Sequence, residues 1–241
     1  MPIHSEVPLS LPRRVLAVSP LAAITAAAFA APAGAATLSV PPCVVDYRAI
    51  GQNNLKIAAA GFRPGSVVQI LSTTPSNPTP TIVTSGVADG AGNVLREIAP
   101  LSFNNVDTFE QSYMLGAVEA GNPANVTAPV SLTQVRFGFT ANPSSGRANR
   151  AVTYTARGFL PGRPVYAHFR FRGKTRRNVK IGTAAAPCGV VSKRMRLLPT
   201  RVRYGTWTVY MDQVARYSPA TARANPLLSA RGTLRIRGTF R

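Results

Sequence analysis

The strongest constraint on this chain is that it repeats itself once at long range. Gly61-Phe62-Arg63-Pro64-Gly65 returns as Gly158-Phe159-Leu160-Pro161-Gly162, an offset of 97 residues. At the same offset Leu55, Ile57 and Ala59 match Val152, Tyr154 and Ala156. Gly92, Val94 and Tyr113-Met114 likewise match Gly189, Val191 and Tyr210-Met211. This period exceeds the roughly 20–50 residues of a solenoid unit, so each copy predicts a whole domain with its own core. The copies are expected at residues 37–131 and 132–241, and 45% hydrophobic residues suffice to fill two cores.

Within each copy the pattern is that of strands. Leu55-Lys56-Ile57 and Val152-Thr153-Tyr154-Thr155 alternate inward and outward residues, Pro-Gly pairs punctuate them, and proline recurs too often for long helices. In the second copy strands are expected near 134–140, 151–157, 164–171, 177–183, 190–198, 205–211 and 233–240. Seven short strands divided by turns predict an all-β immunoglobulin-like antiparallel sandwich, and the repeat predicts two in tandem. The segment 216–229 holds two prolines and no alternation, and predicts a loop.

Ahead of the repeats lies an address. Arg13-Arg14 precede an apolar run, Val15 to Ala31, and Ala33-Gly34-Ala35 offers small residues to a signal peptidase. Residues 1–36 are therefore expected to be a secretory signal peptide, and the mature protein to be secreted or associated with the cell envelope.

Gly-Phe-x-Pro-Gly after an alternating strand, followed by Asp89-Gly90-Ala91-Gly92-Asn93 or Pro187-Cys188-Gly189, resembles the tandem Ig-like modules of exported actinobacterial proteins of uncharacterised function. The resemblance covers residues 37–241 and its motifs are turn residues. It implies a fold and leaves the ligand open, because function lives in sites grafted on folds.

Charge separates the two copies. Residues 37–131 hold four basic and six acidic side chains, net −2, whereas residues 132–241 hold 22 basic side chains and the single acid Asp212, net +21. Such a domain repels itself and attracts polyanions. In Tyr166 to Arg172 the strand period puts Ala167, Phe169 and Phe171 on one face and His168, Arg170 and Arg172 on the other. Lys174, Arg176 and Arg177 fall at the following turn, Lys180 on the returning strand, and Arg235 and Arg237 alternate with Leu234 and Ile236. These eight cations, Arg170, Arg172, Lys174, Arg176, Arg177, Lys180, Arg235 and Arg237, are expected to form a continuous patch for anionic polymers. An envelope polymer, an acidic polysaccharide or anionic lipid head groups at a membrane surface fit that expectation. Nucleic acid fits less well, because Phe169 and Phe171 face the core and offer no stacking platform, and export removes most intracellular targets. The competing reading of the same charge is a solvated face in an arginine-rich composition.

Groups suited to catalysis are scarce. His168 is the one histidine beyond the signal, it is expected on an outward strand position, and no Gly-x-Ser-x-Gly elbow accompanies it. No His/Cys cluster has zinc spacing, Asp89 alone cannot supply a calcium shell, and Asp107 and Glu110 lie three apart in a loop. The expectation is a non-enzymatic binding or structural module of a bacterial envelope, without metal or cofactor. The alternatives are an adhesin or carbohydrate-binding module using Tyr204, Tyr210 and Tyr217, and then a secreted hydrolase. Trp207, in phase with Val209 and Met211, reads as core. Cys43 and Cys188 are the two cysteines. In an end-to-end pair they would stand a domain length apart, beyond disulfide reach; a folded-back pair would join them, so a disulfide and two buried thiols both stay open. Nothing in the sequence speaks to the oligomeric state.

Overall fold

Among the described residues, alternation of apolar and polar side chains builds nine strands in the first repeat. These are β1 (Thr37–Ser39), β2 (Cys43–Asp46), β3 (Leu55–Ala60), β4 (Val67–Thr74), β5 (Asn77–Val87), β6 (Val94–Ile98), β7 (Glu110–Glu119), β8 (Asn122–Val126) and β9 (Val130–Arg136). The second repeat has β10 (Gly138–Asn142), β11 (Ser145–Gly146), β12 (Ala151–Arg157), β13 (Pro164–Phe171), β14 (Lys174–Thr183), β15 (Val191–Arg196), β16 (Gly205–Asp212) and β17 (Ala230–Ile236). This computed structural model describes residues 35–47, 54–219 and 229–237, all within the unit Gly34–Arg241. The expected signal peptide therefore lies outside the described residues except for its last two positions, as do 220–228 of the expected loop and the chain after Arg237.

The protein is almost entirely β, and the sheets of the two repeats share one order. The first repeat pairs a sheet β1-β3-β6 with a sheet β2-β9-β7-β4-β5, on which β8 joins β7. The second pairs β10-β12-β15 with β11-β17-β16-β13-β14. In both, the chain changes sheets after its first strand, and the short second strand runs parallel to the last one. Each pair of sheets encloses one hydrophobic core. Leu55, Ile57, Val68, Ile70, Leu115 and Leu132 fill the first, and Tyr154, Phe159, Phe169, Trp207, Met211 and Leu234 the second.

The motif that reveals the repeat is a backbone junction. Phe62 N donates to Gly92 O and Phe159 N to Gly189 O, both at 3.2 Å. A Cβ on Gly92 would lie 2.2 Å from the Phe62 carbonyl oxygen, and one on Gly189 would lie 1.6 Å from that of Phe159. Both glycines also hold positive φ, 79° and 61°. Only glycine admits this approach in that conformation.

Several details depart from the sequence reading. β14 starts at Lys174, so Lys174, Arg176 and Arg177 lie on that strand and not in the turn before it. The short β11 is a strand the pattern does not predict. The strand expected at 134–140 is divided: Gln134 to Arg136 end β9, and Gly138 starts β10 in another sheet. Phe137 makes the break, its ring packing against Tyr47 at 5.3 Å and Phe159 at 5.1 Å. The offset of 97 also fails in β16. Ile70 opposes Ala117 and its counterpart Ala167 opposes Met211, so β7 and β16 are equivalent at an offset of 94. The match of Tyr113-Met114 with Tyr210-Met211 is thus coincidental. Tyr113 corresponds to Trp207, and the two tyrosines face opposite sides of their sheets.

Candidate functional site

The second repeat's larger sheet presents an outer face whose residues follow from strand period. Tyr166, His168 and Arg170 on β13 share it with Lys180 and Asn178 on β14, Tyr210 and Asp212 on β16, and Arg231 and Arg235 on β17. Asp212 is 4% exposed, so the one carboxylate among residues 132–241 offers surface cations almost nothing.

His168 corrects the expectation of an outward, solvated histidine: it is wholly buried. Its Nε2 lies 2.8 Å from Asp212 Oδ1 and its Nδ1 2.8 Å from Asn178 Oδ1, which clasps β13 to both neighbours. Asp212 Oδ1 also accepts from Val214 N at 2.9 Å. The outer face is not bare, because the chain beyond β16 folds back over it and brings the Tyr217 ring to 5.6 Å from the imidazole. Strand alternation reports which side of a sheet a residue takes, and it is blind to a later segment covering that side.

The same cover takes Arg170 out of the expected free patch. Its guanidinium stacks over Tyr217 at 4.6 Å and Tyr210 at 5.6 Å, and its Nη atoms donate to Tyr217 Oη and the Gly173 carbonyl. These contacts make Arg170 a brace for Tyr217. Burial, with Tyr210 alongside, raises the Tyr217 phenol above its ordinary value, and Arg170 opposes that shift.

The other seven expected cations are exposed, but not on one continuous face. Lys180 opposes Tyr166 and takes the outer side, whereas Lys174 and Arg177 oppose Phe171 and Phe169 and take the core side of the edge strand. They remain exposed because β14 is the last strand of its sheet. Arg176 sits in the register shift of the β13–β14 pair, and Arg172 occupies the hairpin turn at φ 47° with its guanidinium over Phe171. Arg235 on β17, two strands from β13, opposes Thr206 of β16, and Arg237 follows β17 with its amide on Gly146 O. The hairpin therefore gathers Arg172, Lys174, Arg176, Arg177 and Lys180, with Arg235 and Arg237 as a second group. Arg231 shares the outer side of β17 with Arg235 but lies at the other end of the strand, over the Tyr210 ring at 6.0 Å. The alternation that turns Leu234 and Ile236 inward extends back to Arg231 and would have found it. Lys193 adds a cation on β15 and ties the two sheets, donating to Lys180 O at 2.8 Å.

Of the tyrosines proposed for sugar contact, Tyr204 is exposed, and Tyr210 and Tyr217 pack on one another at 4.9 Å. Trp207 is buried as core, its Nε1 donating to Arg203 O at 2.9 Å. Asp89 serves its own turn, accepting from Ala91 N and Asn93 N, and these bonds hold its carboxyl below the usual range. Glu110 lies 3.4 Å from Arg157 of the second repeat.

Cys43 and Cys188 are joined, with Sγ–Sγ 2.00 Å and Cα–Cα 5.4 Å. The end-to-end separation does not arise because the chain switches sheets at Pro41-Pro42. Cys43 then stands on β2 opposite Thr133 of β9, the strand that leads into the second repeat. Cys188 comes from the turn that accepts Gly158 N, and Tyr47 Oη donates to the Gly158 carbonyl at 3.3 Å beside it.

No family model matches this sequence, and no curated protein matches it. Among solved structures it is similar to a tetra-tandem repeat from the extending region of a large adhesion protein, at 13% identity and TM-score 0.29, covering 85% of this chain and 49% of that one. It is also similar to the human OSCAR ligand-binding domain, at 12% identity and TM-score 0.33, covering 83% of this chain and 97% of that one. The chain thus spans about half the length of the adhesion-protein structure.

Proposed function

We propose that this protein is an exported, non-enzymatic binding or structural module of a bacterial envelope. In this reading each repeat is an immunoglobulin-like sandwich, and the second holds anionic polymers. The strand order, with a short second strand parallel to the last, supports the immunoglobulin-like reading. One observation carries the polyanion reading: 22 basic side chains share residues 132–241 with a single carboxylate, and that carboxylate is buried against His168. An unopposed cationic surface attracts dense polyanions through counterion release, as it does nucleic-acid phosphates. The ligand class is an acidic polysaccharide, an anionic wall polymer or a lipid surface.

The hairpin group is the principal contact, because five cations sit on one exposed edge. The test is retention of the purified protein on heparin-like, anionic-wall and neutral matrices across a salt gradient. Wild-type protein is expected on the acidic matrices alone and to elute with salt. Replacing Arg172, Lys174, Arg176, Arg177 and Lys180 together by Gln should move elution to much lower salt, each lost contact removing about 0.7–0.9 from the log–log salt slope. Unchanged elution of that variant would refute the assignment to the hairpin. Unchanged elution after neutralising Arg231, Arg235 and Arg237 as well would refute the polyanion reading.

A further inference from the structure

The first repeat holds a cleft of about 460 Å³ between the β4–β5 hairpin and the segment after β6. Its walls are Ser72, Thr74, Thr81 and Asn104, and its apolar side includes Val83, Ile98 and Tyr113. No lining residue carries a charge, in a protein of net charge +20. The volume is in the ordinary range for small-ligand sites.

The second repeat shows that this space is not a requirement of the fold. Ser72 opposes Leu115 and Thr81, whereas its counterpart Phe169 opposes Val209 and Arg177. Thr74 corresponds to Phe171 and Tyr113 to Trp207, and the Phe171 and Trp207 rings pack at 4.9 Å. Large aromatics fill in one repeat what small hydroxyl residues leave open in the other. An unfilled core position costs stability, so the open version is the one that calls for a reason.

The wall is also braced from beneath by two buried glutamines. Gln134 accepts from Leu101 N at 2.8 Å and donates to Leu101 O at 2.6 Å. Gln111 accepts from Asn104 N at 2.8 Å and donates to Asn104 Oδ1 at 2.9 Å. Asn104 Nδ2 in turn donates to Ser76 Oγ at 2.7 Å and reaches Thr74 Oγ1 at 3.3 Å, closing the segment onto the hairpin tip. Tyr113 Oη donates to Ser102 O at 2.7 Å. A groove held by paired donor and acceptor bonds is preorganised for a ligand.

We infer that this cleft binds an uncharged, hydroxyl-rich ligand, a neutral saccharide unit. Hydroxyl and amide groups both donate and accept, which matches sugar hydroxyls. The apolar side suits the C–H faces of a sugar ring, and the lack of lining charge disfavours anionic ligands. This site is separate from the cationic hairpin and from Tyr204, Tyr210 and Tyr217.

The test is titration of the ¹⁵N-labelled full protein with cellobiose, maltose, lactose and diacetylchitobiose, alongside a sulfated heparin disaccharide, at low and high salt. At least one neutral disaccharide is expected to shift the amides of residues 72–77 and 99–104, with a Kd of about 1 mM or tighter and no dependence on salt. Ser72→Phe with Thr74→Phe, the second repeat's own residues, should weaken that response at least tenfold. Thr81→Val, which keeps the shape and removes a hydroxyl, should weaken it several-fold and serves if the double variant fails to fold. The inference is overturned if no neutral disaccharide shifts these amides or if binding survives in whichever of these variants folds. It is equally overturned if the response lies at Tyr204, Tyr210 and Tyr217, or if the sulfated sugar binds the cleft in a salt-dependent way. Salt separates this result from polyanion retention, so either proposal can fail alone.

Discussion

Asp212 and Glu119 are both buried carboxylates, and each is stabilised by named donors. Asp212→Ala leaves His168 buried with one partner and Val214 N without its acceptor, and is expected to destabilise the protein by about 2–3 kcal/mol. Chemical denaturation measures this, and a change within error would mean that the clasp contributes nothing. Glu119, at the end of β7, accepts from Asn125 Nδ2 at 2.7 Å and from Arg63 Nε at 2.6 Å. These bonds, Asn125 first, hold its carboxyl below the usual range. A depressed folded-state value stabilises the fold at pH above the unfolded carboxyl's value of about 4.3, and that contribution is lost as pH falls below it. Melting temperature should therefore drop on acidification, and Glu119→Gln should flatten that limb relative to wild type. Arg63 belongs to the repeated Gly-Phe-x-Pro-Gly turn, so the bond also ties that turn to β7. In the second repeat the same duty falls to Gln213, which bonds both the amide and the carbonyl of Leu160 at 3.1 and 2.9 Å.

The β13–β14 hairpin combines a tight turn with a dense row of cations. Arg172 and Gly173 form its two-residue turn, both at positive φ, 47° and 77°. That geometry matches the right-handed twist of paired strands and favours Asn-Gly. Arginine is strained there, so Arg172→Asn should raise stability by about 0.5–1 kcal/mol while removing one cation from the hairpin. Thermal melts and salt elution on the same variant read the two effects separately; a fall in stability would refute the turn assignment. The first repeat places Pro75-Ser76 at this turn and puts Pro78 and Pro80 on the following strand. Both repeats thus leave β5 and β14 as terminal strands, and each limits unwanted pairing differently, by proline in one and by charge in the other. How legible these elements were depended on their period. The bounds 151–157 and 164–171 follow directly from alternation, whereas the division at Phe137 came from aromatic packing that no strand pattern encodes.

The two repeats are joined by more than the peptide between β9 and β10. The Cys43–Cys188 bond, the Tyr47–Phe137–Phe159 ring series and the Arg157–Glu110 pair all cross the junction. The disulfide spans 145 residues, and a loop of that size stabilises by about 4–5 kcal/mol in the chain-entropy account. The exposed ion pair adds little by comparison. Replacing both cysteines by Ala should lower the melting temperature and increase the radius of gyration measured by small-angle scattering, as the repeats lose their shared constraint. A variant with unchanged scattering would show that the remaining junction contacts hold the orientation without the disulfide.

What the sequence determined by itself is the local and the repeated. The strand alternation, the Gly-Phe-x-Pro-Gly turns, the repeat at 97 residues and the segregation of charge are all properties of neighbouring side chains or of composition. Seven of the eight named cations are exposed, but Lys174 and Arg177 are so only because β14 is an edge strand, which strand period does not report. Tertiary structure alone decided what covers what. Tyr217 returns over the outer sheet to bury His168 and engage Arg170, and the sheet switch at Pro41-Pro42 carries Cys43 to Cys188. The three-residue slip of β16 sets Trp207 against Phe171, where Tyr113 leaves a cleft in the first repeat. Each of these depends on contacts between residues distant in the chain, and periodicity carries information only about the side a residue faces, not about what arrives there.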